Sequence, residues 1–100
     1  MKVYIAQLLC PSRHCILAAA GEYASEADAQ VLAAAVRENF QSATEHGILD
    51  PWCGLCKSRK LAVEVRATRF TSLEEAQPHL SANQTAQLLS AEYIRRSDNN

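Results

Sequence analysis

Four cysteines stand in two close pairs, Cys10 with Cys15 in Cys-Pro-Ser-Arg-His-Cys and Cys53 with Cys56 in Cys-Gly-Leu-Cys, with residues 16–52 between the pairs. A close pair on a turn presents two thiolates from one short loop. Two such turns supply the four soft donors that a tetrahedral Zn²⁺ takes at metal–sulfur distances of roughly 2.3 Å. Joining them cross-links distant parts of the chain, and the binding energy counts as folding energy. The constraint matters because the 100-residue chain is 48% apolar, a globular composition, yet includes seventeen alanines and only six Phe, Tyr and Trp. Alanine buries little area, and a domain of this size hides only about two thirds of its unfolded surface, so the core is thin. Pro11 stiffens the first turn and Gly54 widens the backbone choices of the second.

The expected ligand set is Cys10, Cys15, Cys53 and Cys56, holding one structural Zn²⁺. His14 is the alternative fourth ligand, four residues from Cys10 in the same turn; Cys15 is preferred because a thiolate keeps the donor set uniformly soft. Four thiolates around a divalent ion leave excess negative charge, and Arg13, Lys57, Arg59 and Lys60 are near enough in sequence to offset it. The two cysteine turns resemble those of paired-knuckle zinc proteins of the zinc-ribbon and rubredoxin-like type. The likeness covers only the turns and adjoining strands. Four residues separate the first pair where two are usual, and Lys57 stands where a glycine commonly follows the last cysteine. The chain as a whole also resembles small proteins of bacterial genomes and their phages, a likeness that implies no activity.

Around these turns the pattern predicts an α+β domain. Residues 2–9 are β-branched and aromatic-rich and stop at Cys10-Pro11, as a strand does before a proline. Residues 15–20 read as the return strand of a hairpin, ending at Gly21. Ser25 with Asp28 makes a capping box for a helix over about residues 26–46, whose apolar stripe is Val31, Leu32, Ala35, Val36, Phe40 and Ala43. His46-Gly47-Ile48 ends it, with Gly47 at positive φ and Ile48 folding back on the last turn. Leu61, Val63 and Val65 alternate with Ala62, Glu64 and Arg66 as a half-buried strand running toward Phe70. Ser72-Leu73-Glu74-Glu75 caps a short helix that Pro78 ends or kinks. Ser81 caps another, carrying Ala86, Leu88, Leu89, Tyr93 and Ile94 and ending near Arg95-Arg96. The expected architecture is a small sheet, an N-terminal hairpin plus a third strand, packed on a long central helix and a C-terminal helix. Residues 1–96 form the domain and 97–100 a frayed tail.

Charge and the remaining motifs narrow the function. Net charge is −1, so any charge-based contact is local. No apolar run is long enough to cross a bilayer, and the N-terminal segment reads as a strand rather than a secretory leader, which points to the cytoplasm. There thiols stay reduced or bind metal. Trp52-Cys53-Gly54-Leu55-Cys56 resembles the Trp-Cys-Gly-Pro-Cys site of thioredoxins, which implies a thiol–disulfide enzyme with Cys53 as nucleophile and Cys56 as resolving thiol. The surroundings disagree: the motif follows the long helix instead of opening one, and a strand comes next. His46 and His79 have no nucleophile beside them, and Glu74-Glu75 sits where a helix start wants negative charge. Trp52 reads as a lid over the metal site. Lys57, Arg59 and Lys60, with Arg66, Arg69 and Trp52, form the candidate contact surface for a protein partner or, as a lesser reading, for nucleic acid. The expectation is a non-enzymatic zinc-stabilised binding or adaptor module. The alternatives are the thiol–disulfide enzyme, a nucleic-acid-binding zinc module and a small phage-type inhibitor of a host complex.

Overall fold

The computed structural model describes residues 1–83, with side chains through residue 79. Strands β1 (Lys2–Leu9), β2 (Cys15–Tyr23) and β3 (Ala62–Ala67) form one antiparallel sheet in the order β2-β1-β3, joined by helices α1 (Glu26–Glu45) and α2 (Leu73–Asn83). This is the expected α+β arrangement, with β1 in the middle. Val3 to Leu9 of that strand are all buried, so it is covered on both faces, as its nearly continuous apolar sequence requires. Its even residues Tyr4, Ala6 and Leu8 face α1, meeting Ala29, Leu32 and Val36 across Ala19 of β2. On the other face, Val3 and Ala20 meet Ala76 of α2, with Phe70 and Leu73 at the margin.

Both helix starts follow their sequence signals. Ser25 Oγ accepts the Asp28 amide at 3.2 Å, and Ser72 Oγ accepts the Glu75 amide at the same distance. The end of α1 is a Schellman closure: the Ile48 amide donates to Ala43 O at 2.8 Å and the Gly47 amide to Thr44 O at 3.2 Å, with Gly47 at φ +72°. The Ile48 backbone folds back as expected, but its side chain stays out in solvent.

Three expectations are corrected. Val31 was expected in the apolar stripe, yet it is 54% exposed while Leu32 is fully buried. At 3.6 residues per turn Val31 stands roughly 140° round the helix from Val36, off the narrow stripe of Ala29, Leu32, Ala33 and Val36 that fills the contact. β2 does not end at Gly21 but runs on to Tyr23, whose ring folds back over Gly21, so that a Cβ there would come within 2.6 Å of it. Pro78 does not end α2, which continues to Asn83 and takes in Ser81. A proline forgoes one amide bond, and here the helix start is held by Ser72, by a Glu22 carboxylate accepting the Leu73 amide, and by burial of Ala76. The rest of the expected last helix and the tail at 97–100 lie outside the described residues.

If the narrow stripe carries the helix–sheet contact, Leu32→Ala should cost about 2–5 kcal/mol in urea unfolding, whereas Val31→Ala should change stability by less than about 0.5 kcal/mol.

Candidate metal centre

Sheet register decides which loops meet. Leu9, the last residue of β1, pairs with Cys15 on one side and with Ala62 on the other. The turn over residues 10–14 and the segment leading into β3 therefore lie at the same end of the sheet, and the second cysteine turn comes just before that segment. The connection from α1 to β3 covers residues 46–61, long for a compact domain, and that length usually signals a loop with its own task.

Each turn is locally fixed. In the first, Arg13 N donates to Cys10 O at 2.8 Å and Cys10 N to His14 O at 3.2 Å, with Arg13 at φ +65°. In the second, Lys57 N donates to Cys53 O at 2.8 Å and Cys53 N to Ser58 O at 2.9 Å, with Lys57 at φ +60°. Lys57 thus takes the left-handed backbone that glycine takes most easily, at the position after the last cysteine where glycine is common. Arg13 reaches across to β3 and pairs with Glu64 at 2.7 and 3.2 Å, tying the first turn to the third strand. The pair is exposed and adds little stability, but it is a two-pronged contact that sets direction.

The turns bring together Cys10, His14, Cys53 and Cys56, whose donor atoms all lie within 4.8 Å of one another. His14 Nδ1 is 3.3 Å from Cys10 Sγ and 3.5 Å from Cys53 Sγ. Around a tetrahedral zinc, ordinary bond lengths place nitrogen and sulfur roughly 3.5 Å apart and two sulfurs roughly 3.8 Å apart. The two His14 distances are close to these values, and all four donors lie close enough together to hold one ion. Cys10 and Cys53 are buried, His14 is half-buried and Cys56 is exposed.

This set differs from the expected four-cysteine shell in one member: His14 stands where Cys15 was expected. The reason is strand geometry. Directly paired residues share a face, so Cys15 projects on the side of its partner Leu9, whereas Cys10, one step further along the chain, projects to the other. The register slips between Leu8 and Leu9, and the Cys15 thiol lies 3.7 Å from Leu17 O instead of joining Cys10. The other histidines are elsewhere: His46 Nδ1 is 2.7 Å from Ser42 O at the end of α1, and the His79 ring stacks on Phe70.

Backbone amides point at the sulfurs. His14 N donates to Cys10 Sγ at 3.2 Å. The Cys56 amide donates to the Cys53 sulfur and, against burial, draws that thiol down to about 6, helped by the Leu55 amide and the side chains of Cys56 and Cys10. For Cys56 the largest single influence, the Ser58 amide, pulls its thiol down, but burial and the neighbouring Cys53 and Cys10 together hold it above the ordinary thiol range. The shifts run in opposite directions because a charge on one sulfur opposes a charge on its neighbour.

The expected contact surface divides. Trp52, Lys57, Arg59 and Lys60 all belong to the second loop, with the Arg59 guanidinium 5.0 Å from the Trp52 ring centre. Arg66 lies near the far end of β3, roughly 20 Å from Lys60 at about 3.4 Å per residue, and Arg69 is beyond it, over the Phe70 ring. The loop also exposes Leu55, at 78%, which composition alone did not single out. No protein-family model matches the chain, and comparison with curated proteins and with solved structures finds no match.

The ligand set is open to a direct check. Cobalt bound to the wild type should show the d–d and thiolate-to-metal bands of three sulfurs and one nitrogen, unchanged by Cys15→Ser. Either His14→Ala or Cys53→Ser should weaken binding by tenfold or more, since losing even an outer-shell partner of a ligand costs about 10–100-fold in affinity. A spectrum altered by Cys15→Ser and indifferent to His14→Ala would restore the all-cysteine set.

Proposed function

We propose that Cys10, His14, Cys53 and Cys56 hold one structural Zn²⁺, and that the chain is a non-enzymatic binding module that meets a protein partner through the loop the metal orders. The observation that carries this reading is the mutual spacing of the four donors. Three thiolates and an imidazole suit zinc, and a shell closed by four protein ligands keeps no position for water, so hydrolytic chemistry is not part of the reading. The His14 amide donating to Cys10 Sγ spreads thiolate charge into the backbone, which supports Cys10 as a lasting ligand. The same reading places the protein in a reducing compartment such as the cytoplasm. Among the described residues no helix is long and apolar enough to cross a membrane.

The loop supplies the contact chemistry: exposed Leu55 at its tip, with Lys57, Arg59 and Lys60 against the single acid Asp50. An acidic, partly apolar protein surface complements it, as would the target of a small inhibitor. Nucleic acid is less favoured because one face of Trp52, the loop's aromatic, is engaged by Arg59. The thiol–disulfide reading is less favoured because Cys53 and Cys56 lie on a turn leading to β3, with no helix opening at Cys53 to stabilise a nucleophilic thiolate.

Protein purified without chelator should carry one zinc per chain. Stripping it should raise amide hydrogen exchange across residues 48–60 far more than across α1, because binding energy and loop order are linked. Metal-free protein with the same exchange pattern would remove the structural role.

A further inference from the structure

The four donors are not equally sheltered. Cys10 and Cys53 are buried and His14 half-buried, while Cys56 is exposed at the tip of the second turn. Two residues separate Cys53 from Cys56, and their sulfurs fall within the 4.8 Å spread of the cluster. A two-residue spacing on a turn can close a disulfide by side-chain rotation and a small backbone adjustment. Exposed and buried sulfur thus stand as an attacking and a resolving pair inside the ligand set itself.

Resting on the zinc reading above, we propose that Cys56 is an oxidation site for hydroperoxides, and that its oxidation releases the metal by closing a Cys53–Cys56 disulfide. The Cys56 thiolate attacks one oxygen of hydrogen peroxide, the O–O bond breaks, and hydroxide leaves, giving a sulfenic acid on Cys56. The Cys53 thiolate then attacks the Cys56 sulfur, the S–O bond breaks, and a second hydroxide leaves. Two thiolates are oxidised by two electrons and one peroxide is reduced, the two hydroxides taking up two protons from the buffer to become water. Cys10 and His14 remain, both on the first turn, and two donors are too few for a structural zinc shell.

The consequence is local because of where the two pairs sit. Cys10 and His14 are held by the hairpin turn and by the Arg13–Glu64 pair, so the first half of the site keeps its place. Cys53 and Cys56 lie within the connection over residues 46–61, and losing the shared ion frees the loop that carries Leu55, Lys57, Arg59 and Lys60. Oxidation would therefore act on the contact surface and leave the sheet and α1 standing.

The test uses the full chain, reduced and loaded with zinc, with zinc content measured first. Hydrogen peroxide is added in stoichiometric steps while a chromophoric zinc indicator reads release; acid-quenched, alkylated samples are mapped by mass spectrometry. The expected result is one zinc released per peroxide consumed, with Cys53 joined to Cys56, and recovery after a dithiol reductant and zinc are supplied. Cys56→His keeps a four-donor shell and should stay zinc-loaded by metal analysis while releasing zinc about tenfold or more slowly, since the exposed thiolate is gone. Cys15→Ser should behave as the wild type. Zinc retained under peroxide, a Cys10–Cys15 disulfide in place of Cys53–Cys56, or equal release from Cys56→His would each overturn the proposal with the zinc site intact. Absence of zinc from the reduced starting protein would instead remove the metal reading, and this proposal with it.

Discussion

The double pairing of Leu9 is the constraint on which the site depends. As the end of the central strand, Leu9 holds Cys15 on one side and Ala62 on the other, so the hairpin turn and the approach to β3 share one edge of the sheet. Without a central β1 the two cysteine turns would have no reason to meet. The strand earns that position by burying Val3 through Leu9, a burial that only a middle strand with cover on both faces can reach. Topology, more than the cysteines' own spacing, gathers the donors.

Charge in the site is handled differently from what sequence proximity implies. Arg13 turns to Glu64 and Arg59 to Trp52, so two of the four nearby cations make contacts of their own. Amides of His14, Leu55, Cys56 and Ser58 face the sulfurs instead. A fixed amide is a better partner for a thiolate than a long flexible ammonium, because its direction is set by the turn and costs no side-chain entropy. Left-handed backbone at Arg13 and Lys57 accompanies this arrangement: each turn bends sharply enough to bring an amide onto sulfur without a glycine at that residue.

The elements whose signals are local and redundant were legible. α1 has a capping serine, acidic first turn, periodic stripe and glycine stop, and each of these appears in the structure. The alternation of Leu61, Val63 and Val65 likewise survives as half-buried positions packed on the α1 side. What was not legible depends on relations between elements. Choosing His14 over Cys15 needs the strand face of Cys15, and a register slip of one residue sets that face, leaving no mark in composition. Val31 is apolar but lies outside the contact, and only the seating of α1 on the sheet shows which residues bound that face. Tyr23 covering Gly21 kept β2 going past a residue that reads as a stop. Pro78 shows the same thing from the other side, since capping and burial of Ala76 outweigh one lost amide.

Where the proposed metal would stabilise the chain follows from the packing. The larger of the two core clusters draws on β1, β2, α1 and β3 together with Leu61, and contains nothing from residues 46–60. The sheet and α1 therefore bury their apolar faces against each other without help from the cysteine loop. That loop offers little to bury, since Ile48 and Leu55 are exposed and Trp52 only half-buried. Ordering a residue costs about 1–2 kcal/mol of backbone entropy, and a segment of this length lacks the apolar contacts to offset such a cost alone. An ion shared between the two turns, as we propose, would supply the missing term at the point where it is needed. The sheet and α1 thus hold through their own apolar contact, while the proposed metal would order the loop, which is also where the exposed leucine and its basic neighbours stand.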